Sequence, residues 1–453
     1  IWGTPADVES DESYTIWANN SGGSAQATLT LALVWTLSPT VEGVSVTRNT
    51  TLADDIQWTW DYEPLEAQSI SLDTGDYNTC SIRADSDIYC WGRNGNGQLG
   101  YGSSSDLGCT NHNHACKDRP TETIDLGSDV VSIAFGDRHA CGLTDAGIVK
   151  CWGRNNHGQV GTSGGDKSTP TQVSFSSGLT ATSIYAGGHH TCAILSDGSV
   201  KCWGRNQFGQ LGIGTTINTN TPTTVNTLGA GRSAISLALA WDSTCALLDD
   251  GSVKCWGKRE HGQLGDGSSI GQISSPPNNP ISFGIGRTAK MITAGEFHYC
   301  AILDNDEIMC WGDGANGKLA TGSTADQTTP TAPNGSFAAG RYAVYLDAGY
   351  HHTCAILDNG HATCWGSDAN GQLGNGETAG DILSLHTGYL AWKAMAISAG
   401  GSHTCMQVDK PNDGNQHERI KCWGSRGSGQ LGDNSGFINS DAISPQSCLL
   451  YTS

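Results

Sequence analysis

The chain lacks any run of about 18 apolar residues, so it holds no candidate transmembrane helix. Basic side chains are scarce: 24 Lys+Arg stand against 44 Asp+Glu, a formal charge of −20 over 453 residues. Such a surface repels phosphate backbones and argues against a nucleic-acid partner. Methionine is nearly absent, with 4 residues. No nucleophile elbow, no paired metalloprotease histidines and no calcium loop occur. The glycine-rich GRNGNGQLGYG beginning at Gly92 lacks the Lys-Ser/Thr and the helix of a phosphate loop. Carboxylates are plentiful but scattered over turns such as LDDG and LDNG, where Asp accepts local backbone bonds. Nothing here requires an enzyme, and no cofactor is implied.

What is present is glycine, 61 residues of it, and 17 cysteines, both in a repeating order. Glycine at this level among Ser, Thr, Asn and Asp means many tight turns and few helices. A Cys-Trp-Gly triplet recurs with Trp at 91, 152, 203, 256, 311, 365 and 423. The cysteines are Cys90, Cys151, Cys202, Cys255, Cys310, Cys364 and Cys422. Ten residues before six of them stands another: Cys80, Cys141, Cys192, Cys245, Cys300 and Cys354. In the seventh unit Cys405 lies seventeen back, because DKPNDGNQHERI lengthens the loop.

The ten-residue spacing predicts a hairpin. In CALLDDGSVKC a three-residue loop, Asp249-Asp250-Gly251, sets Leu247 opposite Val253 and Cys245 opposite Cys255. Gly251 falls where such a loop needs a positive φ; Gly147, Gly198 and Gly360 share the place, and Ser86 and Asp306 substitute there. Opposed antiparallel residues are close enough for a disulfide. Each staple closes a short loop and should contribute about 3 kcal/mol. Cys109 and Cys116 form an eighth expected pair, which leaves only Cys448. Paired thiols at this density imply an oxidising compartment.

One unit parses into four strands: Asp129–Gly136, His139–Thr144, Ile148–Gly153 and Thr169–Phe175. Four strands per unit, seven times over, is the pattern of an all-β seven-bladed propeller. AGGHHTCAILSDGSVKCWGRNQFGQLGIG, starting at Ala186, resembles the regulator of chromosome condensation repeat, and the resemblance extends from about Ser69 to Asn439. It implies a closed seven-bladed ring. Members differ in role: one type exchanges guanine nucleotide on a nuclear GTPase, another is a secreted inhibitor of β-lactamases. GKLA at Gly317–Ala320 departs from GQLG and is expected to loosen that turn, and AWDSTC replaces the GxxH pattern in the fourth repeat.

Several residues are candidates for chemistry. His139, His190, His298, His352 and His403 each precede a first cysteine by two positions. They could form an axial ring for a metal or anion, or each bond a neighbouring backbone at a blade corner. CTNHNHAC, Cys109–Cys116, could hold zinc through His112 and His114 with the two cysteines, or could be a disulfide-closed loop. The residue before the first Gly of GQLG varies: Asn96, His157, Phe208, His261, Asn316, Asn370 and Ser428. Variable tips on a rigid framework are where binding surfaces are built. Lys258 and Arg259 lie close by and complete that candidate surface. Asn19, Asn49 and Asn334 begin N-x-S/T sequons.

Residues 1–36 resemble the second half of an Ig-like surface domain and are expected to be a partial β-sandwich. Residues 37–68 are read as a linker in which Ile56–Tyr62, IQWTWDY, could supply a closing strand for the last blade. The propeller is expected over 69–447, and CLLYTS, 448–453, resembles a translated sequencing adapter and is expected to be a non-native tail. The chain reads as a fragment of a secreted or surface-anchored microbial protein. It is expected to bind protein or glycan non-catalytically through loops on one face. The alternatives are a nucleotide exchange factor, an enzyme inhibitor, a fibre spacer, or a glycan hydrolase with axial acids.

Overall fold

The computed structural model describes residues 12–20, 23–31, 72–83, 86–105, 115–175, 178–338, 340–376, 380–388, 390, 393–408, 419–433 and 442–447. The chain divides into two compact units, Ile1–Tyr62 and Glu63–Ser453. In the first, Glu12–Asn20 and Gly23–Leu31 pair antiparallel, from Glu12↔Leu31 to Asn20↔Gly23, inside the stretch read as a sandwich remnant. Ile56–Tyr62, Cys109, His112, His114, Cys448 and the sequon at Asn49 lie outside the described residues.

The second unit is a seven-bladed propeller. The first strands of successive blades lie side by side around the ring, and Ala394–Ala399 of the seventh meets Leu72–Thr74 of the first. Blades two, three, four, five and seven are four-stranded. In blade two the strands are Val130–Phe135, His139–Thr144, Val149–Gly153 and Lys167–Gln172, so only the fourth is displaced from its expected place. Blade one carries two short outer strands, Cys116–Lys117 and Thr123–Ile124, on Ile88–Arg93. Among the described residues blade six has three strands, and Ile382 bridges Gly366 where a fourth would begin. The seventh blade takes its fourth strand from Ala442–Ser447, within its own unit.

The hairpins have the expected register. Cys245 faces Cys255 and Leu247 faces Val253, with Gly251 at φ 74°. Ser86 and Asp306 hold φ 66° and 68° at the same turn. Disulfides join Cys80–Cys90, Cys141–Cys151, Cys192–Cys202, Cys245–Cys255, Cys300–Cys310, Cys354–Cys364 and Cys405–Cys422, with Cα atoms 4.0–4.1 Å apart. Cys116 is also disulfide-bonded.

Blades are joined by a repeated seam. All seven Cys-Trp-Gly tryptophans are fully buried, and each donates its indole N–H to a backbone carbonyl of the preceding blade. Trp152 reaches Gln98 at 2.9 Å, Trp203 reaches Gln159 at 3.0 Å, and Trp256 reaches Gln210 at 3.0 Å. Trp311, Trp365 and Trp423 reach Gln263, Lys318 and Gln372. Trp91 closes the ring on Gln430 at 2.8 Å. Gly212 shows why the loop is glycine: a Cβ there would lie 2.6 Å from the Trp256 nitrogen, at φ 68°. The GKLA turn is not loosened. Trp365 holds the Lys318 carbonyl at 3.0 Å, the Ala320 amide bonds Gly317 at 2.8 Å, and Ala320 takes φ 54°.

The seam generates a graded prediction. Trp256→Ala should cost about 3–5 kcal/mol, the usual loss for a buried aromatic. Trp256→Phe should cost about 1–3 kcal/mol, chiefly from the lost donor to Gln210. Urea denaturation of the oxidised protein checks both, and an indifferent Phe variant would show the hydrogen bond to be dispensable.

Candidate functional site

The five repeat histidines do not form an axial ligand ring. Each lies between blades with its Nε2 on a hydroxyl of the next: His139 with Thr191, His190 with Thr244, His298 with Thr353, His352 with Thr404, His403 with Thr79. Thr191 Oγ1 donates to the Gln159 carbonyl at 2.8 Å, and Thr244, Thr353, Thr404 and Thr79 donate likewise. A carbonyl only accepts, so the hydroxyl proton is committed to it. The imidazole must then donate Nε2–H, and burial, which lowers these groups far below 6.5, keeps the rings neutral. The bland expectation was near the truth, except that the partner is a threonine side chain. In AWDSTC, Ser243 replaces the histidine, and the next blade answers with Tyr299, whose Oη lies 2.8 Å from Ser243 Oγ.

The variable tips divide into two sets. Asn96, His157, His261 and Asn316 reach across to the next blade, to Asp166 (2.8 Å), Asn218 (3.4 Å), Asp326 (3.0 Å) and Asp381 (3.0 Å). These side chains clasp blades together at the rim. Asn370 and Ser428 present their backbone N–H to Gln372 and Gln430, and Ser428 is buried. Arg259 turns into its own loop toward Asp266, at 3.2 Å. Phe208 remains open to a partner: its ring lies under Lys258 Nζ at 4.8 Å and Arg205 at 5.5 Å.

Where the tips meet the axis, the fold adds rings that the sequence reading did not single out. They come from the two residues before the repeat histidine, at the mouth of the ring. His157 lies 5.4 Å from His189, His189 5.3 Å from Trp241, and His261 5.5 Å from Phe297. Trp241 lies 6.4 Å from Phe297 and 5.3 Å from Tyr350. Trp241 belongs to blade four and Tyr350 to blade six, so their contact spans the mouth. Gly188 makes room: a Cβ there would come within 2.9 Å of the Trp241 ring. Trp241, Phe297 and Tyr350 are all half-buried. AWDSTC was the available signal, since Trp241 is its second residue.

Charge surrounds this bay. The residue after Trp-Gly is Arg93, Arg154, Arg205 and Lys258 in blades one to four, then Asp313, Ser367 and Ser425. Arg205 pairs with Asp242 at 3.1 Å. Asp76 and Asp137 share a hydrogen bond beside Arg138, and burial first, then the Asp137 charge, pushes Asp76 up to about 8. Asp137 lies 3.4 Å from Arg138, 3.9 Å from Arg154 and 3.8 Å from His189. Glycoside hydrolysis uses carboxyls about 5–10 Å apart. This touching pair does not supply that spacing. On the first strands of blades one and six, burial pushes Asp73 up to about 7 and Asp347 to about 6.

Comparison with known proteins agrees with this architecture. The model of the RCC1-like domain matches residues 100–449, and that of the Regulator of chromosome condensation (RCC1) repeat matches residues 70–98. The chain is 28% identical over 313 residues to the Ultraviolet-B receptor UVR8 of Arabidopsis thaliana, covering 69% of this chain and 68% of that protein. It is 26% identical over 351 residues to the RCC1 domain-containing protein RUG3, mitochondrial, of the same plant, covering 73% and 74%. Human WBSCR16 superposes with a TM-score of 0.67 at 19% identity, over 80% of this chain and 93% of that one. Prp20p of Saccharomyces cerevisiae gives 0.65 at 20% identity, over 83% and 87%.

The buried ionisable groups set a pH optimum. Burial lowers His139, His189, His190, His352 and His403 from 6.5 to about 3, and His298 well below 6.5. Below pH 6.5 the unfolded chain binds protons that these folded rings refuse, so stability falls with pH. Asp73, Asp76 and Asp347 are raised, so the folded chain holds their protons more tightly, and stability falls as pH rises from about 4 to 8. With His157 and His351 also lowered and Asp137, Asp242 and Glu296 also raised, eight imidazoles outnumber six carboxyls where the windows overlap. The melting temperature should peak near pH 7, and Asp76→Asn should flatten the alkaline decline. Calorimetry from pH 4 to 9 checks this, and a monotonic rise to pH 9 would refute it.

Proposed function

The chain belongs to the family of RCC1-like domains, and from that membership we propose that it is a non-catalytic recognition scaffold. It works outside the cell or at the cell surface and grips a protein or glycan through the axial face. The observation that carries this reading is the convergence of Trp241, Phe297 and Tyr350 with His157, Phe208, Lys258 and His261 at one mouth of the ring. Half-buried aromatic rings beside paired charges are what an interface centre uses, because they bury their remaining area at little entropic cost.

The compartment is argued from the disulfides. Seven cross-strand staples persist only where thiols are kept oxidised, and a surface of −20 charge resists self-association. Asn334, which begins a sequon, is exposed, in keeping with a secreted chain. The matched relatives include a receptor and a mitochondrial protein, so membership leaves the compartment open.

The test is direct binding. Oxidised protein is screened on arrays of glycans and of extracellular protein domains. Trp241→Ala and Phe208→Ala are then compared with Ile285→Ala, an exposed residue of the loop that leads into the inner strand of blade five from its other end. The axial variants should weaken binding at least about tenfold with the melting temperature retained, and the Ile285 variant should not. Equal binding by all three would reject the axial face. Accelerated nucleotide release from a small GTPase, with free thiols in the isolated protein, would replace this reading with an exchange-factor role.

A further inference from the structure

We propose that the seam between blades four and five is a divalent-cation site, built from His261, Asp313 and Asp326 and suited to a first-row transition ion such as Zn2+. One donor atom from each residue lies within 4.8 Å of the other two, and His261 Nδ1 is 3.0 Å from Asp326 Oδ2. Metal–ligand bonds of about 2.0–2.2 Å place neighbouring ligands about 3–3.5 Å apart, so a small inward movement completes three corners of a tetrahedron. Water can take the fourth, because His261 and Asp326 are accessible at the rim.

The other seams separate this arrangement from an ordinary clasp. Three of them use the same tip contact: Asn96 to Asp166, His157 to Asn218 and Asn316 to Asp381. The residue after Trp-Gly in the following blade approaches each tip. That is why Lys258 lies over Phe208, and why the Arg205 charge bears on His157. At blades one to four this residue is Arg or Lys, and in six and seven it is Ser. Only in blade five is it a carboxylate, Asp313. Among the described residues, this seam therefore sets an imidazole and two carboxylates together.

The surroundings suit a bound dication. The Gly314 amide donates to Asp326 Oδ1 at 3.1 Å and the Ala315 amide to Asp313 Oδ1 at 2.9 Å, which orients both carboxylates. Lys318 Nζ holds Asp313 Oδ2 at 2.6 Å, and that oxygen retains a second lone pair. Glu296 adds a further carboxylate whose field reaches both Asp313 and His261. Against one lysine, three carboxylates leave a local excess of negative charge. The imidazole nitrogen selects Zn2+ or Co2+ over Ca2+ and Mg2+, which require oxygen donors.

The neighbouring blades supply the variants. His261→Asn keeps the amide clasp used by Asn96 and Asn316 but removes the nitrogen ligand. Asp313→Ser installs the residue that blade six carries as Ser367. His157→Asn controls for an incidental imidazole. All are made in a background with His112 and His114 replaced by serine, so that the Cys109–Cys116 loop cannot compete. Chelator-treated, oxidised protein is titrated with Co2+, followed by its visible absorption, and with Zn2+ by calorimetry. One ion per chain is expected, at least about tenfold weaker in the His261 and Asp313 variants and unchanged in the His157 variant. No binding by the parent, parent-like binding by His261→Asn, or an equal loss in His157→Asn would overturn the site.

Discussion

Each blade gives an indole N–H to a backbone carbonyl of the blade before it, and the ring exists because seven such gifts close on one another. The carbonyl belongs to the tight GQLG turn, whose last glycine brings the chain against the indole in six blades, while Ala320 takes that place at φ 54° in the GKLA turn. Tryptophan, turn and glycine are therefore one device. Five threonine hydroxyls reach the same carbonyls, and each orients a neutral histidine. The result is a buried seam in which the Nε2 of each repeat histidine is committed to a threonine hydroxyl.

The seams also account for departures from the repeat. Ser243 and Tyr299 exchange size across the junction of blades four and five, with a hydroxyl–hydroxyl contact replacing imidazole–hydroxyl. Lys318, which displaces the usual glutamine, meets Asp313, which displaces the usual basic residue. The first substitution is answered across the seam and the second within its own blade, so the framework is retained while the face changes. The variation concentrates at the axial mouth, where rings from blades three to six meet.

The hairpin register was legible because its causes are local. Ten residues, an Asp-Gly turn and one positive φ determine that Cys245 faces Cys255, and the same holds through the other short hairpins. The tips were legible as variable positions, but their roles were not. Asn96 and Asn316 turned out to be clasps, because their partners Asp166 and Asp381 lie 70 and 65 residues on, and Arg259 withdrew into its own loop toward Asp266. Trp241 was visible only as a break in a pattern.

The sequence by itself determined an all-β ring of seven stapled units, since periodicity and hairpin geometry act over ten to sixty residues and repeat without reference to distant chain. Only the tertiary structure decided which side chains share a surface. Trp241 and Tyr350 stand 109 positions apart and meet because blades four and six face the same axis. Ring closure converts equal steps along the chain into convergence at a point, and that convergence is a property of the whole circle.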